Sequence, residues 1–347
     1  MCFKSRIVIA GEGWFGSTNF GLAQGFRRMA WEVVELSRPA FFVHGRTLLA
    51  RIVGRLSKPI NTILYNREIL QLVERLNPQV FLTVKGSDIS LKTLNILSSR
   101  GIKTINYYPD FRFSYDDVEQ STFPLYSLFV TTKSFQVQNL VDLIGKEKVH
   151  FIPHGYCTDV HYTSIENQLR DVDVPDVLYV GTYSADKEQL FTAIIKSIPK
   201  IRLRIYGHGW DRAKDIGILK PYLAERPIYS INYTQLINAV KINLAVHMGV
   251  ADDSGWQDLV STRSFEIPAC KGFMLHVDNA EIRELYDVGK EIDVFSSAED
   301  LCAKIIFYLA NEKIRKAMIE KAYQRCVPAY SYDERAKEIA SLIKLNN

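Results

Sequence analysis

The sequence predicts an α/β protein made of two parallel-sheet domains. Short β-type runs alternate with helical patterns along the whole chain, as parallel strands joined by helical crossovers require. The alternation pauses once, between His154 and Pro175, in a polar stretch ending Asp-Val-Asp-Val-Pro that reads as an interdomain linker. At 347 residues the chain is long enough for two ordinary domains. The expected division is a Rossmann-like domain over 1–155, a second over 156–331, and a terminal helix over 332–347.

In the first half, strands are expected at Arg6–Ala10, Glu32–Leu36, Val80–Val84, Lys103–Tyr107, Leu128–Thr131 and Val149–Ile152, each a short run dense in Val, Ile, Leu, Phe or Tyr. Helical spacing falls between them, at Thr18–Met29, His44–Ser57, Thr62–Leu76, Ser90–Ser99 and Ser134–Leu143. In the second half the strands are Asp176–Val180, Ile201–Tyr206, Ile242–Val246, Phe273–Val277 and Glu291–Phe295. Their helices are Lys187–Lys196, Tyr233–Ala239, Thr262–Cys270, Ala280–Asp287 and Ala298–Leu309. Ligands of such sheets bind outside the carboxyl ends of the strands, and two sheets facing each other make a cleft.

With 47% hydrophobic and 24% charged residues the composition is globular, and no apolar run is long enough to span a membrane. The start of the chain carries no secretory leader pattern, and five scattered cysteines lack any Cys-x-x-Cys spacing. Reduced thiols and a cytoplasmic location are expected, with no disulfide frame and no zinc site. The net charge of +4 is uneven: residues 1–155 hold 19 Lys and Arg against 12 Asp and Glu, and no acid lies between Glu35 and Glu68. Within that gap, 44–58 reads as an amphipathic helix. Leu48, Leu49, Ile52, Val53 and Leu56 share one side, Arg51, Arg55 and Lys58 another. It suits either packing on a core or peripheral contact with the inner face of an anionic membrane. No nucleic-acid recognition motif accompanies the charge, so no nucleic-acid partner is expected.

Several strand ends carry candidate chemistry. Gly11-Glu-Gly13-Trp-Phe-Gly16 fits G-x-G-x-x-G after a strand, with Glu35 near the end of the next strand. It suits either a dinucleotide or a cleft-lining loop holding Gly13 and Trp14, since Trp14 and Phe15 are bulky beside a pyrophosphate. Gly181, Thr182 and Lys187 follow the strand ending at Val180 and suit a diphosphate. Gly207, His208 and Gly209 end the next strand and allow a base or ribose to approach. His247 and Asp258 bracket a polar loop. Ser261-Thr262-Arg263-Ser-Phe-Glu266 puts an arginine and a carboxylate on one helix face, matching diphosphate and ribose hydroxyls. Asp110 ends a strand and is a candidate base or acceptor-hydroxyl partner; His154 closes the last strand of the first half and suits a phosphate or sugar. No nucleophile–histidine spacing and no metal-ligand spacing emerge from these motifs.

These motifs resemble the GT-B glycosyltransferases, specifically the CgeB-like group related to retaining family-4 enzymes. The likeness rests on Phe151-Ile-Pro-His-Gly155, Leu178-Tyr-Val-Gly181, Ile205-Tyr-Gly-His-Gly209, Thr262-Arg-Ser-Phe-Glu-Ile-Pro-Ala-Cys270, Glu281 to Glu291 and Tyr332-Asp-Glu-Arg335, while the first half is similar only in layout. The resemblance implies two Rossmann-like domains facing a cleft. It implies a metal-independent, retaining transfer from a UDP- or GDP-sugar, bound as substrate with no other cofactor, to a hydroxyl of a glycan, lipid-linked or small-molecule acceptor. Glu266 would hold the ribose, Arg263 or Lys187 the diphosphate, and Gly207 to Gly209 would border the base. The last helix would cross back to the first domain. Asp258 stands where family-4 enzymes often carry a glutamate, and Lys271 where relatives continue with glycine. Two other readings stay open: an NAD(P)-dependent oxidoreductase using Gly11 to Gly16, and a non-catalytic module of the same fold.

Overall fold

The computed structural model describes residues 5–42, 47–115, 117–162, 174–247 and 255–343. The chain divides into two units, Met1–Cys157 with Tyr332–Asn347, and Thr158–Ser331. In the first unit six strands, β1 (Arg6–Gly11), β2 (Glu32–Ser37), β3 (Val80–Val84), β4 (Lys103–Tyr108), β5 (Leu128–Thr131) and β6 (Val149–Phe151), form one sheet in the order β2-β1-β3-β4-β5-β6. All its pairings are parallel. In the second unit β7 (Val177–Val180), β8 (Leu203–Tyr206), β9 (Ile242–Ala245), β10 (Met274–Val277) and β11 (Asp293–Phe295) form a parallel sheet ordered β11-β10-β9-β7-β8. These strands coincide with the eleven apolar runs. Ile7, Val8, Ile9 and Ala10 of β1 are all buried, because helices cover both faces.

The chain reverses its direction of travel across each sheet once. The switch lies between β1 and β3 in the first unit and between β7 and β9 in the second. Such points leave a crevice at the strands' carboxyl ends.

Two elements differ from the sequence-based expectation. The patterns at 44–57 and 62–76 are one helix, Leu48–Leu76, running through Pro59; residues 43–46 lie outside the described residues. Its second half is anchored by Tyr65, Ile69, Leu72 and Val73 in the core. Its first half is not: Leu48, Leu49, Ile52, Val53, Leu56, Ile60 and Ile63 are all exposed, Leu56 at 75%. Packing of this apolar stripe on a core is therefore not what the structure shows. Second, a helix at Glu312–Cys326 was not expected, because only a narrow stripe (Met318, Ala322, Cys326), joined by Arg315, turns inward among charged residues. Within the expected first helix, Gly21 lets two helices meet. A Cβ there would lie 2.5 Å from Tyr332 Cδ2, and one at Gly25 2.7 Å from Ala336 Cβ. The helix Thr18–Arg28 thus packs against Tyr332–Leu342, fastened by Thr18 Oγ1 to Tyr332 Oη at 2.9 Å and Arg28 to Asp333 at 2.6 Å.

Candidate functional site

Both crevices are built from residues at strand ends. In the second unit the loops after β7 and β8 are zipped together. Gly181 N donates to the Tyr206 carbonyl at 2.8 Å, Tyr183 N to the His208 carbonyl at 2.9 Å, and Trp210 Nε1 to the Gly181 carbonyl at 2.9 Å. Gly207 has φ +141°, and a Cβ there would enter the Gly181 carbonyl. The two loops can come this close only because position 207 has no side chain. Gly209 follows with φ +81°, and His208 is exposed, its Nε2 2.8 Å from the Tyr229 hydroxyl.

Two cations meet at the β7–β9 switch. Lys187, on the first turn of the helix Ala185–Ser197, is 4% exposed and donates to the Thr182 carbonyl at 2.9 Å. Arg263 donates from Nη1 to the Val180 carbonyl at 3.1 Å and from Nη2 to the Val246 carbonyl at 3.0 Å, so its fork bridges the ends of β7 and β9. Both lie over the ring of Tyr179, 5.9 and 5.7 Å from its centroid. Burial first, and the Arg263 charge second, push the Lys187 ammonium down to about 8, with Asp258 and Asp186 acting in the opposite sense. A buried lysine beside a half-buried arginine is relieved by an anion.

A polar relay fixes Arg263. The His276 Nδ1 donates to the Val277 carbonyl at 2.6 Å, so its Nε2 accepts; Ser264 Oγ lies 2.9 Å from it and His247 Nε2 2.8 Å. Donation from His247 Nε2 leaves its Nδ1 as an acceptor, 3.4 Å from Arg263 Nη2. Burial pushes His276 down to about 4, so this tautomer is neutral throughout the physiological range. His247, expected in a cleft loop, is thus a buried support for the arginine.

Glu266 turns to different partners. It accepts from the Tyr233 hydroxyl at 3.2 Å, and its other oxygen lies 3.8 Å from His161 Nε2. Burial lowers the His161 pKa against the pull of Glu266, so the imidazole is neutral near pH 7. The helix that begins the arginine motif, Arg263–Ala269, has only seven residues. The backbone amides of Ser264, Phe265 and Glu266 already donate to the carbonyls of Ser261 and Thr262 at 2.8–3.0 Å. These amides are thus engaged within the chain, with Ser261 and Thr262 supplying the carbonyls. Lys271 takes the left-handed position after this helix, with φ +53°, and its ammonium pairs with Glu320 at 2.8 Å.

In the first unit a cavity of about 250 Å³ opens at the β1–β3 switch, lined by Gly11, Trp14, Ser17, Arg38, Lys85 and Asp110 among others. Arg38 meets Asp88 at 2.5 Å and Asp117 at 3.4 Å; Lys85 meets Asp110 at 3.2 Å and Asp117 at 3.3 Å. Burial works against the Lys85 charge, but Asp110 and Asp117 outweigh it and hold its pKa above the ordinary lysine value. Asp117 is correspondingly lowered: Lys85, Ser87 and Arg38 overcome the cost of its burial. Of this network only Asp110 was singled out in the sequence. The run Lys85-Gly-Ser-Asp88 directly after β3 was the available signal.

The glycine loop does not have the tight turn of a dinucleotide site. Ser17 caps the following helix by accepting from Phe20 N at 3.1 Å, so the helix begins only at Thr18, well after Gly11 and Gly13. Glu35, the candidate ribose acid, is held by Arg27 at 2.8 Å and Asn19 at 3.2 Å. His154 is buried with Nε2 3.0 Å from Thr132 Oγ1, and its carbonyl accepts from Arg335 Nε at 3.2 Å. That carbonyl is an anchor for the terminal helix.

Residues 186–341 match a family model described as glycosyl transferase-like. The fold is similar to sucrose-phosphate synthase from Thermosynechococcus elongatus, with TM-score 0.68 and 13% identity over 98% of each chain. It is similar to HepE from Anabaena, solved with UDP and glucose, with TM-score 0.63 and 14% identity over 97% of this chain and 98% of that one. It is also similar to the UDP-GlcNAc 2-epimerase from Neisseria meningitidis bound to UDP-GlcNAc, with TM-score 0.56 and 11% identity over 97% and 99%. At these identities the likeness establishes the fold. A comparison with curated proteins gives no match.

Proposed function

We propose that the chain is a glycosyltransferase of GT-B architecture, whose second unit binds the nucleoside diphosphate of a sugar donor while its first binds a hydroxyl acceptor. The observation that carries this reading is the pairing of the buried Lys187 with the half-buried Arg263 over Tyr179 at the β7–β9 switch. Lys187 faces the diphosphate, and Arg263, tied to two strand ends, positions the Gly181–Thr182 loop and adds its charge. Glu266, oriented by Tyr233, accepts from the ribose hydroxyls. Gly207 to Gly209 border the base. The donor is a uridine diphosphate sugar, the nucleotide in the HepE and epimerase structures.

In the reaction the acceptor oxygen bonds to the anomeric carbon. The bond from that carbon to the diphosphate breaks with its electron pair on the leaving group. The acceptor proton passes to Asp110. Stabilisation of the leaving diphosphate comes from Lys187 and Arg263, which makes a metal ion unnecessary in this scheme, and retention of configuration follows the family-4 resemblance. The Asp-x-Asp spacing at Asp171 and Asp173 falls outside the described residues.

Calorimetry with UDP, GDP and ADP tests the donor half. Lys187→Met is expected to weaken UDP by roughly 10–100-fold, the worth of one hydrogen bond to a charged group. Arg263→Ala weakens UDP too and lowers Tm, because the Val180 and Val246 carbonyls lose their donor. Arg263→Lys fails to restore either, since one ammonium cannot reproduce a planar fork. UDP binding unaltered in Lys187→Met and Glu266→Gln would overturn the assignment. Because a 2-epimerase shares the fold, product NMR decides the reaction: transfer yields UDP and a glycosylated acceptor, epimerisation a second UDP-sugar or its elimination products.

A second observation bears on where the acceptor is met. The exposed apolar stripe of the helix Leu48–Leu76 runs beside Arg51, Arg55 and Lys58. Among the described residues no helix is long and apolar enough to cross a membrane. This stripe instead suits lying on an anionic lipid surface.

A further inference from the structure

We infer that the cavity at the β1–β3 switch takes a neutral sugar ring, stacked on Trp14, and rejects acceptors that carry a phosphate or carboxylate at that ring. This rests on the glycosyltransferase reading and names the acceptor class of its first unit.

Charge is the first ground. The first half of the chain is basic, so its long-range field draws anions. The cavity itself is different. Arg38 and Lys85, its two cations, are surrounded by Glu12 at 3.8 Å, Asp88 at 2.5 Å, Asp110 at 3.2 Å and Asp117 at 3.3–3.4 Å. Lys58 adds one further cation, 3.8 Å from Asp88. Of these groups Arg38, Lys85, Glu12 and Asp110 line the cavity, two cations against two carboxylates, while Asp88 and Asp117 pair the same two cations from outside its lining. An incoming anion has no unsatisfied cation to pair with, and it meets the lining carboxylates Glu12 and Asp110. A neutral hydroxyl meets neither difficulty. It donates to the carboxylates and accepts from the ammonium, whose pairing already fixes its geometry.

Shape is the second ground. At about 250 Å³ the cavity is smaller than the roughly 300–1,000 Å³ of sites for drug-sized ligands, and fits one ring better than an extended chain. One wall is aromatic: Trp14 lines the cavity and is 49% exposed. A large exposed indole above a hollow of paired charges matches a pyranose, which has an apolar C–H face and a hydroxyl rim.

Backbone conformation is the third. The loop after β3 holds Lys85 at φ +74° and Asp88 at φ +56°, a left-handed conformation that costs both residues energy. It is held by Lys85 N donating to the Tyr107 carbonyl at 2.8 Å and Asp88 N to the Asp117 carbonyl at 2.7 Å. The strained loop presents Lys85 and Asp88 to the same network from neighbouring positions.

The test uses the full chain and matched pyranosides: methyl glucoside, methyl glucuronide and glucose 6-phosphate, followed by saturation-transfer NMR and by competition with any active acceptor. Neutral pyranosides are expected to bind, with the two anionic analogues weaker by about tenfold or more. Trp14→Ala weakens the neutral sugar by about tenfold and Trp14→Phe restores most of it. Trp14 is half-exposed, so neither change disturbs the core. Equal or tighter binding of the anionic analogues, no effect of Trp14→Ala, or no pyranoside binding at all would overturn the inference. UDP binding and slow UDP-sugar hydrolysis by the wild-type protein alone are measured beside it. Their absence sinks the glycosyltransferase reading, whereas their presence with an anionic preference sinks only the acceptor class.

Discussion

The Lys187 ammonium offers the sharpest test of the donor site, because its chemistry is readable as a pH dependence. It is buried against Tyr179, and the charged groups acting on it are Arg263, Asp258 and Asp186. Burial and then Arg263 bring its pKa to about 8, against about 10.4 for a free lysine. In the free protein, about nine in ten molecules carry the charge at pH 7 and about one in ten at pH 9. A bound diphosphate stabilises the charged form and raises the pKa again. Affinity for UDP therefore falls about tenfold between pH 7 and pH 9, or about 1.4 kcal/mol, with proton uptake on binding at the higher pH. The diphosphate is fully ionised across this range, and His276, at about 4, does not titrate in it. Lys187→Arg carries a charge that does not titrate, so its affinity stays flat. The sign for stability is opposite. A lysine depressed in the folded state leaves the unfolded chain with more bound protons between about pH 8 and pH 10.4, so this group makes the ligand-free protein more stable as pH rises through that window. Calorimetry in buffers of differing ionisation enthalpy reads both affinity and proton uptake. A flat wild-type profile, or the same tenfold fall in Lys187→Arg, refutes the reasoning.

Two further predictions follow from geometry. Gly207→Ala places a Cβ into the Gly181 carbonyl at φ +141° and is expected to cost about 3 kcal/mol, on the order of 10 °C in Tm for a unit of this size; a Tm within about 2 °C of wild type contradicts the zipped-loop account. The wild-type chain is expected to sediment with phosphatidylglycerol vesicles and not with phosphatidylcholine, and Leu56→Ser/Ile60→Ser/Ile63→Ser to lose at least tenfold of that binding, since each apolar side chain buried contributes about 1.5–3 kcal/mol. Unchanged sedimentation of the triple variant removes the membrane assignment.

The parallel sheets were legible because each strand is a short apolar run with helical spacing on either side, and burial on both faces makes that signal strong. Gly207 and Lys187 were legible from their places just after strands, which topology puts beside a crevice, and Arg263 from its sharing a helix face with Glu266. Their individual roles were not. The sequence places Arg263 and Glu266 on one face. Only coordinates reveal that the arginine's fork is engaged by the Val180 and Val246 carbonyls, which come from strands far apart in the chain. The Arg38–Asp88–Asp117–Lys85–Asp110 network has no spacing signature beyond the run Lys85-Gly-Ser-Asp88, being assembled from segments far apart in the chain. The first half of the long helix misled in a different way. Amphipathic spacing says which residues share a side, but not whether any partner covers that side.

The two switch points share a topology and differ in electrostatics, and that difference argues for a division of labour. At β7–β9 a buried lysine and an arginine share the same tyrosine ring, and the lysine loses part of its basicity for it. Such a site is unfavourable when empty and is relieved by a dianion. At β1–β3 the cations are outnumbered by the carboxylates around them, and Lys85 is held above its ordinary pKa. That site is content when empty and gains from hydroxyls instead of charge. Transfer from a nucleotide sugar has the same asymmetry. Its leaving group departs with negative charge that must be met by cations, whereas its nucleophile is a neutral hydroxyl that must lose a proton to a nearby carboxylate. This asymmetry is why we propose the cation-rich crevice for the donor and the carboxylate-lined one for the acceptor. An exchange of these roles would leave the diphosphate facing Asp110 and Asp117, and the acceptor proton facing Lys187 and Arg263, with each charge on the wrong side.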